Sequence, residues 1–176
     1  PAEFKQRHAA VIRAKFGAER FEIIEGCITK RHPNLFDGID GVFHLAGLAG
    51  VRPSFADPAR YMGVNVEGTA NLFETAQRAS IETCVFAASS SVYGNSTPLP
   101  AKEDEPAIEP ESPYAASKRA AELAIHAMVK KTPSMRCPLL RFFTVYGKWQ
   151  RPEMAITAFL GNILAGLPIT VFGDGS

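Results

Sequence analysis

Short apolar runs alternate with stretches of helical periodicity along the whole chain, the pattern of an α/β protein with a mainly parallel sheet. The apolar runs predict strands over residues 21–24, 41–45, 83–88, 137–143 and 169–172, close to the usual length of roughly five residues. Apolar positions three and four apart predict helices over residues 4–16, 58–79, 113–131 and 153–165. Ser112 followed by Pro113 supplies a capping hydroxyl and a first-turn proline, which places Tyr114 within the first turn of its helix. Residues 98–110 hold four prolines and four carboxylates and read as a surface loop.

Composition narrows the class. The chain has 176 residues, 46% hydrophobic and 21% charged, enough to bury a core, with no disordered or low-complexity stretch. Its net charge is +1 and no basic run exceeds two residues, so the electrostatic footprint of a nucleic-acid partner is missing. Cys27, Cys84 and Cys137 are odd in number and widely spaced, which argues against a disulfide framework or a zinc site and fits a reducing cytoplasm. No signal-peptide pattern opens the chain, and no apolar run approaches the roughly 20 residues that a membrane span needs.

The chemistry-bearing pattern is Ser89-Ser90-Ser91-Val92-Tyr93-Gly94 followed by Ser112-Pro113-Tyr114-Ala115-Ala116-Ser117-Lys118. A tyrosine and a lysine four apart share one helix face, and a cationic amine one turn away favours the deprotonated phenol. That arrangement suits proton removal from an alcohol during hydride transfer, with Tyr114 as base and Lys118 as its tuner. In an open parallel sheet, ligands bind beyond the carboxyl ends of the strands. Three clusters fall there: His44-Leu45-Ala46-Gly47, Ser89-Ser90-Ser91, and Phe143-Thr144-Val145-Tyr146-Gly147. His44 itself reads as structural, because a histidine on an apolar strand is more often a satisfied core residue than a catalyst.

These residues resemble the extended short-chain dehydrogenase/reductases that act on nucleotide sugars. His44-Leu45-Ala46-Gly47 resembles the turn after the fourth strand, and Asn65 in Val64-Asn65-Val66-Glu67-Gly68-Thr69 resembles the family's helix asparagine. Ser89, Tyr114 and Lys118 match the catalytic triad. Arg141-Phe142-Phe143-Thr144-Val145-Tyr146-Gly147 resembles the strand and turn that face the nicotinamide and the sugar. The resemblance implies a Rossmann-like, doubly wound, mainly parallel sheet. It also implies NAD as cofactor, bound by Leu45, Ala46, Gly47, Asn65, Tyr114, Lys118 and Phe143.

Within that family the chain is most similar to UDP-glucuronate 4-epimerases, through Ala49-Gly50-Val51-Arg52, the Ser89–Gly94 phrase and the run from Arg141 to Ala155. The similarity implies inversion at C4 of a UDP-hexuronic acid through a 4-keto sugar. Ser90, Ser91, Thr144, Arg52 and Arg151 would then bind substrate, with Ser91, Thr144 and Arg151 on the carboxylate. Related dehydratases and decarboxylases carry acidic residues where this chain has Ser90 and Ser91. UDP-glucose/galactose 4-epimerases are the alternative, although asparagine is expected there in place of Thr144. The resemblance also implies a homodimer through the helices at 58–79 and 113–131, with Leu72, Phe73, Ala76, Ala120, Leu123 and Ala124 on the joining face.

Two departures from the family pattern set further expectations. No Gly-x-x-Gly-x-x-Gly turn precedes the strand at 21–24, so the first βαβ unit is expected to be absent and that strand to lack a neighbour. The chain also stops where most of the substrate domain would follow. Residues 1–150 therefore read as a partial NAD-binding domain and 151–176 as the start of a substrate-binding region, a fragment that alone neither holds NAD nor turns over. A non-catalytic remnant that acts only by helix-mediated association is the other reading. Cys27 stands where the family usually has an aspartate for the adenine.

Overall fold

In the computed structural model, which describes residues 2–147, 149–152 and 154–171 and only the backbone of residues 2–5, three parallel strands run side by side in chain order. β1 (Gly41–His44) pairs with β2 (Thr83–Ala87), and β2 pairs with β3 (Leu139–Leu140). The helices are α1 (Ala2–Phe16), α2 (Val51–Ala56), α3 (Pro58–Met62), α4 (Gly68–Arg78), α5 (Pro113–Val129) and α6 (Ala155–Leu164). A π-helical turn, Gly63–Glu67, joins α3 to α4, and 3-10 turns occupy Ala18–Arg20 and Ser90–Tyr93.

Alternation along the strands decides which face is covered. Val42 of β1 and Cys84 and Phe86 of β2 point to one side, where they pack with Phe73 and Ala76 of α4 and Ala121 and Ile125 of α5. Alternate residues point the other way, and there Phe43 is 78% exposed. Phe73 and Ala76 are fully buried in this core, so they do not belong to an outward association face, whereas Leu123 is exposed. Side-chain spacing alone could not tell which stripe of α4 faces the sheet.

Several predicted elements differ in extent. Residues 21–24 and the described part of 169–172 form no strand; a strand needs a ladder partner, and no described residue pairs with either segment. Phe172 lies outside the described residues. β3 closes after Leu140, because Phe142 turns its amide back to Leu140 O (2.9 Å) and its carbonyl to the Ser90 amide (2.9 Å). α2 is an element that the sequence pattern did not reveal. The 58–79 helix is one continuous path, but the π turn in its middle shifts the register of its side chains. Among the described residues, no helix is long and apolar enough to cross a membrane.

Candidate active site

The carboxyl ends of the three strands open into one cleft of about 540 Å³. Its walls are the turn after β1, the Ser89–Ser91 segment after β2, the Phe142–Val145 segment after β3, and the start of α5. Ten of the residues singled out from sequence line it: Leu45, Gly47, Ser89, Ser90, Ser91, Tyr114, Lys118, Phe143, Thr144 and Arg151. Among the described residues, no aspartate or glutamate lines it.

Helix α5 sets the positions of Tyr114 and Lys118. The Ser112 hydroxyl accepts the Ala115 amide (3.1 Å), and Pro113 occupies the first turn, so the helix start is fixed by the two residues that precede Tyr114. Lys118, one turn further, is only 7% exposed. Its Nζ donates to the Ala87 carbonyl at the end of β2 (2.8 Å) and lies 4.9 Å from the centre of the Phe86 ring. Burial pushes the Lys118 ammonium down to about 8, with the Glu122 carboxylate opposing that shift.

Ser89 is the N-cap of the 3-10 turn. Its Oγ accepts the Ser91 amide (3.2 Å), a bond that leaves the hydroxyl hydrogen for a ligand. Gly94 ends the turn at φ +69°, and a Cβ there would collide with the Glu109 carbonyl, so this position requires glycine on two counts.

Asn65 acts from behind the cleft and does not line it. At 2% exposure, its side chain accepts the Leu48 amide (2.7 Å) and donates to the Leu48 carbonyl (3.0 Å) and to Ser117 Oγ (2.9 Å). The π turn aims its amide at the Leu48 backbone, which it holds from below. Gly47 runs so close that a Cβ would sit 3.0 Å from Asn65 Oδ1 and 3.5 Å from Lys118 Nζ. Tyr61 adds a second tie, donating to the Ala49 carbonyl (2.9 Å) and meeting the Tyr114 ring edge-on. Neither Tyr61 nor Ser117 was singled out from sequence, since nothing in local spacing marks a residue that acts through the backbone of another segment.

His44 is buried and does not line the cleft, and only one of its two ring nitrogens has a hydrogen-bond partner. Thr69 Oγ1 donates to Asn65 O (2.6 Å) and so takes the His44 Nε2 hydrogen (2.9 Å), leaving His44 Nδ1 buried without a hydrogen-bond partner. Burial, reinforced by the Lys118 charge, pushes this imidazole down to about 4. Ala46 and Arg52 do not line the cleft; Arg52 is an exposed residue of α2. Cys27 is exposed and hydrogen-bonds Thr29 Oγ1 (3.1 Å).

The NAD dependent epimerase/dehydratase family matches residues 3–176. The chain is 40% identical over 155 residues to the UDP-glucuronate 4-epimerase 1 of Arabidopsis thaliana, a match covering 85% of this chain and 36% of that protein. A UDP-glucuronic acid 4-epimerase from Bacillus cereus, solved with UDP-glucuronic acid and NAD, superposes with a TM-score of 0.87 at 33% identity, over 99% of this chain and 55% of that one. MoeE5, solved with UDP-glucose and NAD, superposes with a TM-score of 0.78 at 39% identity, over 86% and 51% respectively. The chain spans less than half the length of the curated relatives it matches.

Proposed function

We propose that this chain, which belongs to the NAD dependent epimerase/dehydratase family, carries the reacting half of an NAD-dependent UDP-hexuronic acid 4-epimerase that interconverts UDP-glucuronate and UDP-galacturonate. The observation that carries the reading is the lining of the cleft. Tyr114, Lys118 and Ser89 stand with Ser90, Ser91, Thr144 and Arg151, and no acidic side chain is among the described lining residues. Elimination of water would call for an acid at the sugar, whereas hydroxyls and a guanidinium suit a retained carboxylate.

The cleft fits the nicotinamide end of a dinucleotide. The Gly47 backbone passes close, where a Cβ would press on the Asn65 side chain, the exposed rims Leu45 and Phe143 are apolar, and Lys118 and Tyr114 offer polar groups between them. Lys118 and Tyr114 would hold the ribose hydroxyls, and Leu45, Gly47 and Phe143 the ring. Bound NAD would supply the acceptor and then the donor of the C4 hydride.

The chain's own residues do the rest. Tyr114 Oη takes the C4 hydroxyl proton as the C4–H bond breaks and the carbonyl forms, and Ser89 Oγ donates to the C4 oxygen throughout. The Lys118 ammonium stabilises the negative charge on the tyrosine side. Ser91, Thr144 and Arg151 hold the carboxylate while the 4-keto sugar presents its other face. Return of the hydride and of the Tyr114 proton then restores the alcohol with inverted configuration, so protons and electrons balance over the cycle.

The test is conversion of UDP-glucuronate by the natural-length protein with NAD, set against Tyr114→Phe. Loss of the proton acceptor is expected to lower kcat by about 10²–10⁴, with the Kd for UDP-glucuronate unchanged within about threefold. Near-normal turnover in Tyr114→Phe would remove Tyr114 from the base role.

A further inference from the structure

Glu122 lies one turn beyond Lys118 on α5 and is 1% exposed. Both of its oxygens are engaged. Arg141 Nε donates to Oε1 (3.0 Å) and Arg141 Nη2 to Oε2 (3.1 Å), while Arg119 Nη1 donates to Oε2 (2.9 Å). Arg141 follows directly on β3, and its guanidinium sits 4.8 Å from the centre of the Tyr93 ring, the last residue of the 3-10 turn that begins at Ser90. Its Nη1 also faces the carbonyls of Glu103 and Glu105 (3.4 Å each), and Arg119 Nη2 donates to the Pro106 carbonyl (2.8 Å).

One buried carboxylate therefore ties together four separate pieces of chain. α5 carries Tyr114 and Lys118, the Arg141 segment leads into Phe143 and Thr144, and the Tyr93 turn carries Ser89 to Ser91. The fourth piece is the loop around residues 103–106. The second and third are also joined directly, since the Ser90 amide donates to the Phe142 carbonyl (2.9 Å).

A merely stabilising role would not need this construction. Taking the Glu122 carboxylate and most of the Arg141 guanidinium out of water costs desolvation, and apolar residues of similar volume commonly stabilise a fold as well or better. What a planar guanidinium forked onto a carboxylate adds is fixed relative orientation. We propose that Glu122 and Arg141 are positioning residues, whose forked pair sets the two substrate-facing walls, Ser89–Ser91 and Phe143–Thr144, in register with Tyr114 and Lys118 across the cleft. The proposal rests on reading the cleft as catalytic, and it assigns a role in that site to residues that never touch substrate.

The test separates positioning from stability. In the double variant Glu122→Met/Arg141→Met the core keeps its volume, so Tm is expected to hold within a few degrees. The Ser90 amide, by contrast, is expected to exchange with solvent at least tenfold faster, while the amides of Cys84 and Phe86 in β2 keep their protection. In the single variant Arg141→Lys, which keeps the charge and loses the fork, the same local acceleration is expected.

The Lys118 amine gives a second readout. Glu122 on its own helix and His44 on β1 act on its charge, and Tyr114 and Arg151 line the same cleft. Burial pushes this ammonium down to about 8 against the opposing Glu122 charge, so its titration is expected to move to lower pH in Glu122→Gln and to stay in place in Arg141→Lys. Unchanged Ser90 exchange in the double variant, or exchange that rises equally at Ser90, Cys84 and Phe86, would overturn the proposal. Neither readout uses a substrate, so a protein that shows both signatures but fails to convert UDP-glucuronate would lose the epimerase reading and keep the positioning one.

Discussion

Tyr114 and Lys118 were legible as a pair because helical spacing is a local property, and the cleft contains both. What spacing could not show is the cost of placing Lys118 where it is, an ammonium almost closed off from water and held by one carbonyl. His44 completes that environment as a neutral imidazole. Its folded value of about 4 lies below the ordinary 6.5, so between those values the unfolded chain binds more protons than the folded one. Stability is therefore full above the unfolded value and falls as pH drops through the window, by up to roughly 3 kcal/mol from this residue. The urea midpoint of the parent is expected to fall further between pH 7 and 4.5 than that of His44→Gln, and parallel losses would deny His44 this role. Asn65 and Arg52 show the other side of reading residues singly. Both were marked by resemblance, yet one turns out to support the 47–50 backbone and the other stands outside the cleft, because neither motif specifies where a side chain is aimed.

At the scale of elements, α4, α5 and the strands β1 and β2 were readable from apolar periodicity. The start of α5 was readable too, since Ser112 and Pro113 are chemical signals for a helix start. Replacing Ser112 by Ala removes the acceptor for the Ala115 amide and is expected to cost about 1 kcal/mol in denaturant unfolding; no measurable change would mean that the cap is dispensable. Gly94→Ala is a harsher probe. It places a Cβ against the Glu109 carbonyl at a positive φ and is expected to cost more than about 2 kcal/mol. Elements defined by tertiary partners escaped the sequence. The apolar run at 137–143 continues past the point where its ladder ends, because Phe142 spends its carbonyl on Ser90. α2 hides between Gly50 and Pro58, where Pro53 reads as a breaker although it sits in the helix's first turn. The π turn has no signature in the periodicity at all, yet it is what aims Asn65.

For the molecule as a whole, three strand ends and one helix start converge on a cleft whose described lining offers cationic and hydroxyl groups and no acid, with the Glu122–Arg141 pair behind it. The sequence contains no Gly-x-x-Gly-x-x-Gly turn to cradle a pyrophosphate on a helix N-terminus. The 176 residues purified alone are therefore expected to release no stoichiometric NAD on denaturation, by mass spectrometry of the supernatant, and equimolar NAD would contradict that expectation. The most direct test of the central claim, oxidation and return at C4, is to supply the natural-length protein with UDP-glucuronate deuterated at C4 and to analyse the UDP-galacturonate formed. Conversion with the deuterium still on C4 is expected, as the hydride leaves and returns within one site. Product that has lost the label to solvent, or a label retained in unchanged UDP-glucuronate with no product, would contradict it.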